Sequence, residues 1–271
     1  MRAMTDAYVH GYRERESERL ADQAGTLVEL LHGDTAYPAG ATVLEAGCGV
    51  GAQTVTLAAR SPEARITSVD ISEESVAAAR RRVQEAGLAN VELRRADMLD
   101  PPFDPRSFDH LFVCFVLEHM PEPAAALRRL AELVRPGGTV TVIEGDHGSA
   151  YFHPDSTAAR DAIDCQVQLQ AGAGGDALIG RRVYPLMVEA GLADVRVSPR
   201  MVYVDASRPD LVEGFTRRTF TAMVEGVREQ ALEAGLIEAA RFDAGVRALN
   251  RTTEADGTFS YTFFKGLGTA A

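Results

Sequence analysis

Short apolar runs alternate with segments of helical periodicity through the first half of the chain. Runs rich in β-branched residues are typical of strands buried in a sheet, whereas apolar residues three and four positions apart indicate a helix. Strands that alternate with helices in this way predict an open, doubly wound α/β sheet. The predicted strands cover 43–45, 64–72, 90–99, 108–120 and 139–148, and the predicted helices cover 54–60, 72–86 and 123–134.

The second half of the chain is less regular. Two helical patterns, over 155–171 and 181–192, lie on either side of the flexible AGAGGD, and a sixth strand is predicted over 195–205. A helical block from Ser207 to Arg251 then precedes a strongly strand-like run at 258–268. We expect this block to be an insertion that forms either a lid or a dimerisation surface.

The chain begins with a cluster of polar-tipped rings, Tyr8, His10 and Tyr12. An apolar helical stripe runs from there to His32, where Gly33 and Pro38 end it. Two interpretations of the cluster remain open. It either packs the N-terminus or forms a flap that closes over a ligand.

Composition limits the partners. The 271 residues carry a formal net charge of −11, which disfavours nucleic acid and anionic membranes, and runs such as Arg80–Arg82 are interpreted as solvated helix faces. No apolar stretch approaches the ~20 residues of a membrane span, and the N-terminus lacks the apolar core of a secretion signal. Three scattered cysteines predict neither a disulfide framework nor a metal site. We therefore expect a cytoplasmic protein without a metal.

One stretch, TVLEAGCGVGAQT at 42–54, carries the candidate chemistry. A strand that breaks into alternating glycines before a helix lets the backbone approach a ligand closely. The P-loop signature is absent, but the dinucleotide fingerprint is present at Gly47, Gly49 and Ala52, with Asp70 near the expected distance. The loop alone leaves a nicotinamide cofactor and other adenosine-containing ligands open.

Two further features decide between these ligands. Glu45 and Gly51 complete the pattern E-x-G-x-G-x-G, and Asp97 closes the third strand beside Met98. With the LEH segment at 117–119 and LVRPGGTVTV at 133–142, the stretch from Val43 to Ile143 resembles the class I S-adenosylmethionine-dependent methyltransferases. Within them it is most similar to the small-molecule C-methyltransferases of quinone biosynthesis.

The resemblance implies a Rossmann-like, doubly wound, seven-stranded and mostly parallel sheet, with an N-terminal helical flap and a helical insertion before the last strand. It also implies one methyltransferase domain over 1–271. Its parts are an N-terminal helical cover (1–38), a cofactor-binding core (39–150), substrate-side helices with strand six (151–206), a lid or dimer insertion (207–255) and the final strand (256–271).

The resemblance further implies how the donor S-adenosylmethionine is held. Asp70 would accept hydrogen bonds from both ribose hydroxyls, and Asp97 would bind the adenine amino group beside the Met98 amide. The carbonyl of Phe115 would face the methionine ammonium. The remaining expected cofactor contacts are Tyr12, Glu45, Gly47, Cys48, Gly49, Gly51 and Ile71.

The candidate residues for binding and activating the methyl acceptor are the side chains that follow strands four and five. His147 is the first candidate for a general base, because it lies where such sheets bind ligands and titrates near neutral pH. His119 and Tyr8 are further catalytic candidates, and Glu144 and Asp146 are also near. Phe and Met in the helical block favour a small apolar or aromatic acceptor of the phenol, quinol or indole type. Carbon, nitrogen and oxygen remain open as the methylated atom.

Three alternatives follow from the same residues. A nicotinamide-dependent oxidoreductase shares the loop pattern, but Asp97 disfavours it. A methyltransferase of protein or nucleic acid is the second alternative. The negative net charge disfavours nucleic acid as its substrate. A non-catalytic S-adenosylmethionine-binding scaffold is the third. The partners we expect are a small molecule and a second copy bound through the helical block, with no nucleic acid and no membrane.

Overall fold

The computed structural model describes residues 27–271, so the predicted N-terminal flap with Tyr8, His10 and Tyr12 lies outside the described residues. Within that range the chain forms a seven-stranded sheet in the order β3-β2-β1-β4-β5-β7-β6. The strands are β1 (Thr42–Ala46), β2 (Arg65–Asp70), β3 (Val91–Arg95), β4 (Phe108–Cys114), β5 (Val134–His153), β6 (Ala193–Val204) and β7 (Thr258–Thr269).

The first five strands are parallel. Strand β1 pairs with β2 on one side and β4 on the other, β2 pairs with β3, and β4 pairs with β5. Strand β7 runs antiparallel to β5, because Gly138 and Ser149 of β5 bond to Ala270 and Thr262 respectively, in reversed order along the chain. The predicted doubly wound, mostly parallel seven-stranded sheet is confirmed.

Helices connect the strands where the pattern predicts them. The helix at 72–86 begins as expected, since Ser72 caps it by accepting a hydrogen bond from the amide of Ser75. The helices are α1 (Ala52–Arg60), α2 (Glu73–Glu85), α3 (Pro123–Ala131), α4 (Thr157–Gly172), α5 (Val183–Glu189), α6 (Pro209–Leu211, Val212–Thr221 with π-helical bonding, and Ala222–Gly226), α7 (Arg228–Glu233) and α8 (Ala239–Arg251). A helix over the first described residues ends at His32. None of the helices within 27–271 is long and apolar enough to cross a membrane.

Several predicted strand boundaries are wrong. The third strand stops at Arg95 and not at Leu99, and the fifth continues to His153 and does not end at 148. The fourth strand stops at Cys114 and not at Met120, because Phe115 adopts a left-handed backbone (φ 57°) and a short 3-10 turn follows at Leu117–His119. The fifth strand begins earlier than predicted, at Val134, and includes RPGG. Gly138 permits this start, because a Cβ there would lie 2.3 Å from the carbonyl oxygen of Asp109 on the neighbouring strand.

The described chain forms two compact units. The sheet unit comprises Val28–Gly145, Ile179–Arg200 and Phe263–Ala271, and its core is the strand residues buried from both faces, such as Leu44, Leu111 and Phe112. Strands β5, β6 and β7 contribute residues to both units. The domain boundaries expected from the sequence stay a prediction.

The helical unit comprises, among the described residues, Leu27, Asp146–Leu178 and Met201–Thr262. Its core is a cluster of buried rings from β5, α6 and β7, in which the ring centroids of Phe220 and Phe259 are 4.7 Å apart. The other rings of this cluster are His147, Phe152, Phe215 and Tyr261.

Candidate active site

The glycine loop joins β1 to α1 in the sheet unit, and all three of its glycines have left-handed backbones. Their φ angles are 75° at Gly47, 51° at Gly49 and 80° at Gly51. A Cβ at Gly47 would lie 2.5 Å from Cγ2 of Val116, and one at Gly51 would lie 2.8 Å from Cβ of Ala79. A Cβ at Gly49 would meet no atom of residues 27–271 within 4 Å. Packing therefore requires two of the glycines, and the third borders space that a ligand can fill.

Cys48 lies between the first two glycines and is buried. Its amide and that of Gly47 both donate to the carbonyl oxygen of Val69, each at 2.9 Å, which ties the start of the loop to β2. Burial raises the pKa of the Cys48 thiol well above its usual value, so the side chain stays neutral. In this position the thiol acts as a small apolar group.

Asp70, at the end of β2, is fixed by the backbone around it. Its Oδ2 accepts the amide of Gly49 at 2.9 Å, and its Oδ1 accepts the amide of Ser72 at the same distance. Burial raises the pKa of the Asp70 carboxyl, and these amides oppose that rise. Since a carboxylate offers about four acceptor positions, Asp70 can accept a further donor besides its backbone amides. A ribose diol supplies two such donors, so the residues present fit the expected cofactor.

Asp97 lies beside Asp70, on the neighbouring strand end. Asp70 pairs in register with Arg95, and Asp97 follows two residues later. Its Oδ1 accepts the amide of Leu99 at 2.9 Å, and Met98 beside it is buried. Ile71, the residue after β2, is held through its carbonyl oxygen, which accepts from Nε of Arg95 at 3.1 Å. The structure therefore brings the two predicted acidic residues to one edge of the sheet.

Phe115 follows β4 with a conformation that non-glycine residues seldom adopt (φ 57°). Its amide donates to the carbonyl oxygen of Ile143 at 2.9 Å, and its ring lies 5.6 Å from that of Phe263. Unfavourable backbone of this kind is most common at functional sites. The expected contact of its carbonyl with a bound ammonium stays a prediction.

Glu45, the last acid before the loop, has buried protein partners. Its Oε2 accepts from the hydroxyl of Thr54 at 2.7 Å and from that of Ser68 at 2.6 Å. Burial raises the pKa of the Glu45 carboxyl to about 7. These contacts join α1 to β2 beneath the loop, and a direct contact with the cofactor stays a prediction.

Glu144 supports the turn after β4, a role that the sequence analysis missed. Its Oε1 accepts the amides of Val116 at 3.1 Å and Leu117 at 2.8 Å, while Oε2 has no hydrogen-bond partner among the described residues. Complete burial, followed by the nearby charge of Glu118, raises the pKa of Glu144 well above its usual value. The available signal was an acid inside an otherwise apolar strand.

The catalytic candidates fall in different parts of the chain. His119 is half-buried in the sheet unit, with its Nε2 3.6 Å from Oε1 of Glu118. His147 belongs to the helical unit, where its Nδ1 is 2.7 Å from the hydroxyl oxygen of Tyr261 in a buried hydrogen bond. Tyr8, like the cofactor candidate Tyr12, lies outside the described residues. No grouping of three or more potential metal ligands occurs within 27–271.

Comparison with known proteins gives a consistent result. A family model described as a methyltransferase domain matches residues 43–138. The chain is 31% identical over 238 residues to the 27-O-demethylrifamycin SV methyltransferase of Amycolatopsis mediterranei, covering 86% of this chain and 80% of that enzyme. It is 33% identical over 106 residues to the demethylmenaquinone methyltransferase of Listeria welshimeri, covering 39% of this chain and less than half, 45%, of that enzyme.

Solved structures share the fold at low sequence identity. The phosphoethanolamine N-methyltransferase 2 of Haemonchus contortus, in a complex that contains S-adenosylhomocysteine, superposes with a TM-score of 0.55 at 17% identity. The match covers 91% of this chain and 52% of that one. This chain therefore shares its fold with about half of that enzyme.

Proposed function

This chain belongs to the S-adenosylmethionine-dependent methyltransferases, and from that membership we propose that its acceptor is a small organic molecule with an apolar or aromatic surface. The enzyme uses S-adenosylmethionine as its methyl donor and forms S-adenosylhomocysteine as product. We therefore do not propose the alternative of a nicotinamide-dependent oxidoreductase.

The observation that carries the donor half of the proposal is the pair of acids Asp70 and Asp97 at neighbouring strand ends. When bound, S-adenosylmethionine supplies a methyl group already activated by a sulfonium. Asp70, held by two backbone amides, would bind the ribose hydroxyls with its remaining acceptor positions. Asp97 would bind the adenine amino group, and the open side of Gly49 would leave room for the ligand.

Similarity to the rifamycin methyltransferase over most of the chain supports a small-molecule acceptor, and the substrate in that enzyme's name is an O-demethyl compound. We therefore favour a hydroxyl as the methylated group, on a phenol or quinol ahead of an indole. A hydroxyl loses a proton on methylation, so a general base assists the reaction. His147 is our candidate, and Tyr261 would orient its ring through the bond to Nδ1.

Calorimetry with S-adenosylhomocysteine and with NAD tests the donor half. We expect binding of the first alone, and roughly tenfold or greater loss of affinity in Asp70→Asn, because a charged acceptor for two hydroxyls is removed. Asp100→Asn, at an exposed position close to Asp97, is the matched control and should bind as the wild type does. Binding of NAD with no affinity for S-adenosylhomocysteine would reverse the assignment.

A screen with radiolabelled methyl donor tests the acceptor half. Small phenols, quinols and indoles are compared with protein and RNA, and we expect label in the small phenolic and quinolic products. Label confined to protein or RNA would exclude the proposed acceptor class.

His147→Ala tests the base once an acceptor is found. We expect turnover to fall by about 100-fold with S-adenosylhomocysteine affinity unchanged, since a positioned base typically contributes that much. His153→Ala, at the exposed end of β5, is the control and should retain activity. Full turnover in His147→Ala would remove the residue from the mechanism.

Two further proposals concern the whole chain. We propose a cytoplasmic enzyme, and a homodimer formed through the helical block at 207–255. Light scattering of the purified protein should give twice the monomer mass of 29.1 kDa. A monomer at micromolar concentration would contradict the proposed homodimer and would favour a lid as the role of the helical block.

A further inference from the structure

Helix α2 packs against the glycine loop. Ala79 is fully buried, and a Cβ on Gly51 would lie 2.8 Å from its Cβ and 2.9 Å from its Cα. The helix is therefore already at contact distance from the loop backbone. Arg82 lies three residues further along α2, on the same face of the helix.

Arg82 makes a direct hydrogen bond to the loop. Its Nη1 donates to the carbonyl oxygen of Val50 at 2.7 Å, across 32 residues of sequence. Arg82 is half-buried, whereas Arg80 and Arg81 are exposed. The interpretation of all three arginines as a solvated helix face is therefore wrong for Arg82.

Beyond its start, which is tied to Val69, the loop is consequently held at two adjacent residues. The amide of Gly49 donates to Asp70, and the carbonyl of Val50, the next residue, accepts from Arg82. Glycines with left-handed backbones have many other conformations available, so an unrestrained loop would sample shapes that do not fit a ligand. A charged donor with a fixed planar group restricts that sampling more than a neutral one.

We propose that Arg82 is a positioning residue that holds the glycine loop in its ligand-binding conformation and thereby sets the affinity for S-adenosylmethionine. The inference rests on the proposed function for the identity of the ligand. The apparent dissociation constant equals the intrinsic constant divided by the fraction of binding-competent loop. Arg82 raises that fraction without touching the reacting atoms, so it acts on affinity and leaves the rate of methyl transfer unchanged.

The test is calorimetric titration of the full chain with S-adenosylhomocysteine. We expect Arg82→Met to bind about tenfold more weakly, as for the loss of one hydrogen bond from a charged donor. Arg81→Met, the exposed neighbour, should bind as the wild type does. Arg82→Lys keeps a charged donor on a long stem and should recover part of the loss. Equal affinity in wild type and Arg82→Met would overturn the inference.

Val83→Ala separates positioning from general destabilisation. Val83 is buried on the same helix, so its truncation should lower the urea midpoint at least as much as Arg82→Met does. We expect Val83→Ala to keep wild-type affinity, and an equal loss in both variants would reduce Arg82 to a structural role.

In methyl-transfer assays, Arg82→Met should raise KM for S-adenosylmethionine and leave kcat unchanged, and a fall in kcat would also contradict the proposal. Wild-type protein that binds no S-adenosylhomocysteine would instead overturn the proposed function.

Discussion

Glu144 shapes the cofactor site through the backbone that it holds. One oxygen accepts two consecutive amides, and the first of these belongs to Val116, whose side chain lies where a Cβ on Gly47 would have to go. Burial raises the pKa of the Glu144 carboxyl well above its usual value, which favours the neutral acid over the carboxylate. Glu144 therefore acts by holding these backbone amides in place, and the neutral side-chain amide of glutamine, which has the same shape, should substitute for its carboxyl.

Glu144→Gln should retain wild-type stability to within about 1 kcal/mol, because its carbonyl oxygen can accept both amides. Glu144→Ala should lose about 3 kcal/mol of the free energy of unfolding, since two buried N–H groups are left without a partner. Urea denaturation measures both values, and titration with S-adenosylhomocysteine should show weaker binding only in the alanine variant. Equal damage in both variants would show that the charge of Glu144 matters.

At the scale of elements, the helical unit depends on close approach of α4 and α8. Gly245 of α8 is buried, and a Cβ there would lie 2.4 Å from the carbonyl oxygen of Ala158 and 2.8 Å from Cβ of Ala162, both on α4. Backbone atoms cannot move aside as a flexible side chain can. The spacing of these two helices is therefore set by the absence of one side chain.

Gly245→Ala should lower the free energy of unfolding by about 1–3 kcal/mol, the usual cost of overpacking, despite the better helix propensity of alanine. Gly226→Ala at the end of α6 is the control, because a Cβ there meets no atom of the described part of the chain within 4 Å. That change should be neutral or stabilising by about 0.4–1 kcal/mol. Thermal unfolding in which both variants behave alike would contradict the proposed contact.

For the whole molecule, buried titratable groups make stability depend on pH in opposite directions. Burial raises the pKa of Glu45 to about 7, so the stability it contributes is complete below its ordinary pKa near 4.5 and is lost as pH rises through 7. Burial lowers the pKa of His32 to about 4, so its contribution is lost as pH falls from 6.5 to 4. The two losses partly cancel in the acid range.

Glu45→Gln isolates one of these groups. Relative to the glutamine variant, the wild type should lose about 3 kcal/mol of the free energy of unfolding between pH 4.5 and pH 8. His32 is present in both proteins, so its effect subtracts out. Urea midpoints measured at half-unit pH intervals check the prediction, and a pH-independent difference between the two proteins would contradict it.

Much of this molecule was predictable from local patterns in the sequence. The alternation of apolar runs and helical stripes predicted the sheet, because the apolar positions within each element show whether it buries one face or both. Gly47, Gly49 and Gly51, with Asp70 and Asp97 at strand ends, predicted a donor site for a similar reason. Parallel strands bring their carboxyl ends to one edge, so spacing along the chain already implies proximity in space.

Tertiary structure alone decided the contacts that depend on which surfaces meet. Periodicity does not distinguish Arg82 from Arg81, because only the packing of α2 against the loop makes one of them half-buried. The bond between His147 and Tyr261 spans 114 residues and reflects the reversed direction of β7. Phe115 ends its strand although its neighbours read as a continuous apolar run, because Glu144 holds the amides that follow it. Neither segment by itself shows which residue of the other it will contact.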